Sequence, residues 1–197
     1  MALFSSAYWA PIFYFQLAAQ SDLVQIEQHE RYQKQSYRNR CLILSANGPL
    51  ALTVPILRPH DTFIKDARID NSKPWRHTHW RAIEAAYRSS AYFQEFREDI
   101  YSIYKKEIPY LFDLNLQTWK LALKLLACSY PWALTSSFEP VSNRCGDYRD
   151  QIAPKKERRP EWPAYKNYFQ VFAKKFGFVP DLSILDLIFN EGGLESV

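Results

Sequence analysis

The sequence predicts an α/β fold: a single domain whose mixed sheet is opened by an N-terminal strand-loop-helix-strand unit and a β-hairpin and is covered by several helices. Three observations carry this reading. Residues 3–29 run from an extended aromatic stretch through a Pro-containing apolar stretch to a second strand-like run. Asn47-Gly48 stands between two apolar runs. From Pro74 onward the apolar positions recur every three or four residues.

Leu3 to Trp9, small and aromatic, reads as the first strand, and Pro11 suits the first turn of a helix to about Ala19. Leu23 to His29 reads as the second strand. A parallel unit of this kind crosses over right-handedly and leaves the loop after its first strand at the carboxyl edge of the sheet, where open α/β sheets bind ligands. Cys41 to Ala46 and Pro49 to Ile56 flank Asn47-Gly48, the pair that tolerates the positive φ of a type I′ turn, and so form a hairpin. Arg58 to Phe63 reads as a loop and Ile64 to Ile69 as a short strand. Helices follow over Trp75 to Arg88, Ala91 to Glu107 and Leu114 to Cys128. Residues 136–163, rich in Pro, Ser and charge, read as an irregular connection. Tyr165 to Phe176 reads as an aromatic helix ended by Gly177, and Ser183 caps a last helix. The chain thus divides into a sheet-forming part (1–70), a helical part (74–128), the connection (136–163) and C-terminal helices (164–192).

Composition narrows the class. Of 197 residues 47% are apolar and 23% charged, too apolar for disorder; 25 basic against 21 acidic residues give +4, too little to argue for nucleic acid. Aromatic residues reach 16% against 5 glycines, so rings must fill a core or line a groove. Cys41, Cys128 and Cys145 form no C-x-x-C pair, which fits a reducing cytoplasm rather than a disulfide framework or a cysteine zinc site. The apolar run Ala7 to Ala19 lacks a preceding basic residue and is too short for a transmembrane helix.

Two polar constellations stand out. Glu27 to Arg40 packs Arg31, Lys34, Arg38 and Arg40 with two tyrosines between a strand and the hairpin; Arg38, Arg40 and Lys34 can clamp a phosphate or carboxylate, or pair with Glu27, Glu30, Asp66 or Asp70 on a solvated loop. In Trp75-Arg-His-Thr-His-Trp-Arg81, His77 and His79 lie about 200° apart on a helix and make a poor metal chelate. A histidine here can act as general base with Arg81 holding an anion, or His79 can sit in the core bonded to backbone. No dinucleotide fingerprint, P-loop or G-x-S-x-G is present.

Tyr8-Trp-Ala-Pro11 with Tyr14-Phe15, Glu27-x-His29-Glu-x-Tyr32-x-Lys34-Gln-x-Tyr37-Arg38-Asn39-Arg40, Ile64-Lys65-Asp66, Thr78-His79-Trp80-Arg81 and Leu182 to Leu187 resemble the WbqC-like protein family over most of the chain. Where many members carry Gln-Pro before the aromatic-Pro turn, this chain has Ser6-Ala7. The resemblance implies a place in bacterial surface-polysaccharide (O-antigen) synthesis and transfer of an acyl or aminoacyl group, such as glycyl, to an amino sugar. The family supplies no catalytic list, so roles rest on residue chemistry. His79 or Glu27 would take the proton from the attacking amine. Lys34, Arg38 and Arg40 would hold an anionic nucleotide sugar or carrier, Asn39 would orient the donor carbonyl, and Tyr8, Tyr37, Trp80 and Arg81 would complete the substrate site between the first loop, residues 37–40 and the Trp75 helix. No cofactor is assigned. The alternative is a non-catalytic scaffold that holds a pathway enzyme through a patch at Tyr165, Tyr168 or Trp162.

Overall fold

The computed structural model describes residues 1–57, 61–140, 146–154, 156, 159–160, 162–164 and 166–193; Arg58 and Pro59 of the expected loop, Cys145, part of the basic run after Pro154, and Tyr165 lie outside them. In chain order the elements are β1 (Ala2–Ser5), α1 (Ile12–Ala19), β2 (Val24–Glu27), β3 (Arg40–Ser45), β4 (Gly48–Thr53), α2 (Trp75–Tyr87), α3 (Phe93–Lys105), α4 (Leu111–Leu125), β5 (Trp132–Leu134), α5 (Ala173–Phe176) and α6 (Ile184–Glu191).

The N-terminal unit forms as read. β1 and β2 pair in parallel with Ala2 opposite Val24 and Ser5 opposite Glu27, and β5, which carries no strong sequence signal, adds in parallel on the far side of β2. Ala2, Phe4, Val24 and Ile26 point inward. The crossover helix α1 is apolar on nearly all sides, as a helix buried between layers must be. Residues 146–148 run beside β1, with Leu3 N–H bonded to Gly146 O and Tyr148 N–H to Leu3 O. Gly146 makes that approach possible: at φ 90° a Cβ would stand 2.5 Å from the Met1 carbonyl oxygen.

The parallel and antiparallel pairings fall in two separate sheets rather than one mixed sheet, β1-β2-β5 and β3-β4. The hairpin turn also differs from type I′: among its residues Gly48 alone takes positive φ, 105°, and Asn47 does not. The glycine therefore supplies the left-handed residue after the turn rather than half of the turn.

Other expectations shift for local reasons. The first strand stops at Ser5, because the chain turns at Trp9 (φ 42°), whose carbonyl accepts the Ser183 hydroxyl at 2.8 Å and whose indole N–H donates to Tyr104 at 2.9 Å. Pro11 precedes α1 with extended backbone and bridges to Ser183. Ile64–Asp66 is a single 3-10 turn, not a strand. The aromatic helix shrinks to α5, with Gln170 bonded to the Val179 backbone in both directions before it. The capped helix is found: the Ser183 hydroxyl accepts the Leu185 N–H, and α6 buries Ile184 to Asn190 under α2, α3 and α4.

Candidate functional site

Three parallel strands end side by side at Ser5, Glu27 and Leu134, and the chains leaving this carboxyl edge carry two buried ion-pair units. In the first, Glu27 accepts the His29 backbone N–H at 2.7 Å and the Thr135 hydroxyl at 2.9 Å through Oε1, and Arg149 Nη1 at 3.1 Å through Oε2. Arg149 forks onto Asp147 at 3.0 and 2.7 Å and also reaches the Glu139 carbonyl at 2.8 Å. In the second, Arg38 forks onto Glu30 at 2.8 and 2.5 Å and bonds Ser5 Oγ at 2.7 Å and Gln33 Oε1 at 3.1 Å. Both guanidinium forks face carboxylates, with side chains at most 7% exposed, so Arg38 and Arg149 fix these loops rather than wait for a substrate anion.

Above this lattice lies a cleft of about 380 Å³ lined by His29, Glu30, Arg31, Gln33, Phe63, Phe138 and Asp150. Its size falls in the range of small-molecule sites, and it occupies the end of the sheet where such sites form. Phe63 and Phe138 are about half exposed. Arg31 lies 4.9 Å from the Phe63 ring centre and pairs with Asp61, and the Arg149 guanidinium lies 5.6 Å from the Phe138 ring centre. His29 Nε2 sits 3.2 Å from the Thr135 carbonyl. A carbonyl only accepts, so Nε2 carries a proton and Nδ1 is the nitrogen that holds the lone pair in the neutral ring, with no hydrogen-bond partner among the described residues.

The residues singled out in the sequence are divided among several places. His79 is 4% exposed, with Nδ1 3.0 Å from the Tyr8 hydroxyl and its ring 5.3 Å from Trp75. Burial pulls its pKa down to about 4, against a bond to the Thr53 backbone that works the other way. Tyr8 continues to Tyr104 at 2.7 Å, and its N–H bonds Tyr37 O. The first loop, residues 37–40 and α2 thus do meet, but as packed core; the space between Ser5 to Ala7 and Tyr37-Arg38 is a void of about 10 Å³, room for roughly one water. Glu27 belongs to the lattice and shares no hydrogen bond with His79. Asn39 Nδ2 donates to Val54 O at 2.9 Å, holding the hairpin, and its buried Oδ1 has no hydrogen-bond partner among the described residues. Arg40 starts β3 opposite Thr53, Lys34 is exposed, and Arg81 is exposed beside Glu84 at 3.4 Å. Trp80 is buried against Tyr101, ring centres 4.6 Å apart.

Sequence reasoning passed over His29, Phe63, Thr135, Phe138, Asp147 and Arg149 as site residues. For His29 the signal was present: it stands two residues past the carboxyl end of the second strand of a parallel unit. For residues 135–149 no periodicity marks what the backbone pairing of 146–148 brings in. Among the described residues no group of three or more His, Cys, Asp or Glu is placed to hold a metal, and no helix is long and apolar enough to cross a membrane. Of the residues expected in a scaffold patch, Trp162 is buried on Phe13 and Tyr168, half-buried, donates to Asp186 at 2.7 Å.

Comparison with known proteins places these observations. No solved structure matches the chain. An uncharacterized protein of Mycobacterium tuberculosis, Rv1507c, is 30% identical over 212 aligned positions, covering 91% of this chain and 88% of that protein. The model of the WbqC-like protein family matches residues 6–154, which run from just after β1 to beyond Arg149 and hold every member of both buried ion-pair units except Ser5. On this match the chain belongs to the WbqC-like protein family.

Proposed function

We propose that the protein is a group-transfer enzyme of surface-polysaccharide (O-antigen) synthesis that moves an acyl or aminoacyl group, such as glycyl, onto the amine of a sugar, at the carboxyl-edge cleft. The single observation that carries this reading is the His29 geometry: a half-buried imidazole at the cleft whose Nε2 is tied to a carbonyl, leaving Nδ1 as a base. In the proposed step the sugar nitrogen attacks the carbonyl carbon of the activated donor. A C–N bond forms, the bond to the donor's leaving group breaks with its electron pair, the ammonium proton passes to His29 Nδ1, and that proton then goes to the leaving group. Phe63 and Phe138 form the apolar walls for a sugar or nucleoside ring, and Arg31 supplies positive charge beside Phe63. Lattice residues Glu27, Arg149, Glu30 and Arg38 act as positioning residues: Glu27 holds the backbone N–H of His29 itself.

The test is product detection by mass spectrometry after incubation with nucleotide-linked amino sugars and a panel of acyl-CoA and aminoacyl donors. An acylated sugar formed by the wild type and lost in His29→Gln supports the proposal. A stable fold that yields no product with any pair, while it co-purifies stoichiometrically with a pathway enzyme, favours the scaffold role.

A further inference from the structure

A second opening, independent of the cleft and of the transfer chemistry, lies where α2 begins against the end of α3. It is a groove of about 350 Å³ lined by Asn71, Ser72, Lys73, Pro74, Arg76, His77, Trp80, Tyr101, Tyr104 and Lys105. Three side chains of fixed positive charge, Lys73, Arg76 and Lys105, converge on it from two helices and a turn, and none of the lining residues is acidic. The acids that accompany these cations stand outside the lining. Arg76 meets Glu107 at 3.0 Å and Lys105 meets Glu98 at 3.3 Å, where both carboxylates are about two-thirds exposed; Lys73 lies 3.6 Å from Asp70. Pairs whose carboxylate is as exposed as Glu107 and Glu98 are worth little and yield to an anion that several cations share.

Part of the lining is aromatic. Tyr101 packs on Trp80, Lys105 Nζ lies 4.9 Å from the Tyr101 ring centre, and the Tyr104 hydroxyl is tied back to Tyr8 and Trp9 in the core, which fixes the wall in place. Cations beside a fixed aromatic surface match a ligand that joins a phosphate end to a flat ring. We infer that this groove is a binding site for a nucleoside diphosphate moiety, with the phosphates among Lys73, Arg76 and Lys105 and the ring against the half-buried Tyr101.

Isothermal titration calorimetry of the full chain with uridine diphosphate, inorganic pyrophosphate and uridine tests this without any turnover assay. The expected result is saturable binding of uridine diphosphate, at least tenfold tighter than either fragment, weakened by added salt. Arg76→Ala and Lys105→Ala should each weaken it tenfold or more, whereas Lys120→Ala, which removes an equal charge beside Trp132, should leave it unchanged. Lys105 is about half exposed and Arg76 about a quarter exposed, so the fold of both variants is to be checked by circular dichroism. No binding of uridine diphosphate at millimolar concentration overturns the inference, as does binding that the groove variants leave intact. Pyrophosphate binding as tight as the diphosphate overturns the role of the aromatic wall.

Discussion

Two buried groups titrate against each other, and separating them measures how deeply each is held. His79 takes a pKa of about 4 against an ordinary 6.5 because burial penalises its cation. Asp186 on α6 takes a pKa of about 6 against an ordinary 3.8: burial penalises its anion more than the donated Tyr168 hydroxyl stabilises it. Between pH 6.5 and 4 the unfolded chain binds a proton at His79 that the native state refuses, so this stability is lost as pH falls, by about 3 kcal/mol at ~1.4 kcal/mol per unit. At Asp186 the native state holds a proton that the unfolded chain releases, so stability is present below pH 3.8 and lost as pH rises through 6, again by about 3 kcal/mol. In the wild type the two contributions nearly offset between pH 4 and 6. Urea unfolding at several pH values should therefore show opposite departures from wild type. His79→Gln should become relatively more stable as pH falls across that window, and Asp186→Asn relatively less stable. NMR titration of the His79 ring should give a midpoint near 4. A midpoint near 6.5, or variants whose pH dependence parallels the wild type, would refute the buried placement of these groups.

Other predictions concern the lattice and the backbone. Arg149→Met leaves Glu27 and Asp147 buried without their cation and should cost about 3–5 kcal/mol, read from the urea midpoint, with part recovered in the double variant with Glu27→Gln. Gly146→Ala meets the Met1 carbonyl at 2.5 Å and a positive φ, and should lower stability by about 1–3 kcal/mol in thermal melts. Arg81→Ala, on an exposed side chain beside Glu84, should change stability by less than about 0.5 kcal/mol.

What the sequence made legible were features with a local cause. The parallel unit followed from its apolar runs, the hairpin from Asn47-Gly48, and the last helix from Ser183, whose hydroxyl caps it as read. Misplacements arose where distant partners decide the backbone. Trp9 is turned out of the first strand by Ser183 and Tyr104, and the Tyr168 segment is bonded to Asp186 and, through Gln170, to Val179 instead of coiling into a helix. The site followed the same division. The Tyr37 to Arg40 segment is dense in polar interactions, and of the two readings open for its charges, a ligand clamp or pairing with nearby acids, Arg38 takes the second, bonded to Glu30 and Ser5 from within the protein. His79, open between base and core residue on sequence alone, lies in the core. Phe138 and Arg149 reach the carboxyl edge only because residues 146–148 pair beside β1, a contact across more than 140 positions that no local pattern announces.

The central claim is that proton transfer at the carboxyl edge of the parallel sheet runs through His29 and not through His79. The most direct test is kcat/KM for sugar acylation at pH 7.5, compared between His29→Gln and His79→Gln, each confirmed as folded. The account predicts a loss of about a hundredfold or more in His29→Gln, the usual worth of a positioned general base, and near wild-type turnover in His79→Gln. Full activity in His29→Gln with loss in His79→Gln would contradict it and move the chemistry to the Tyr8 and Tyr104 side of the fold.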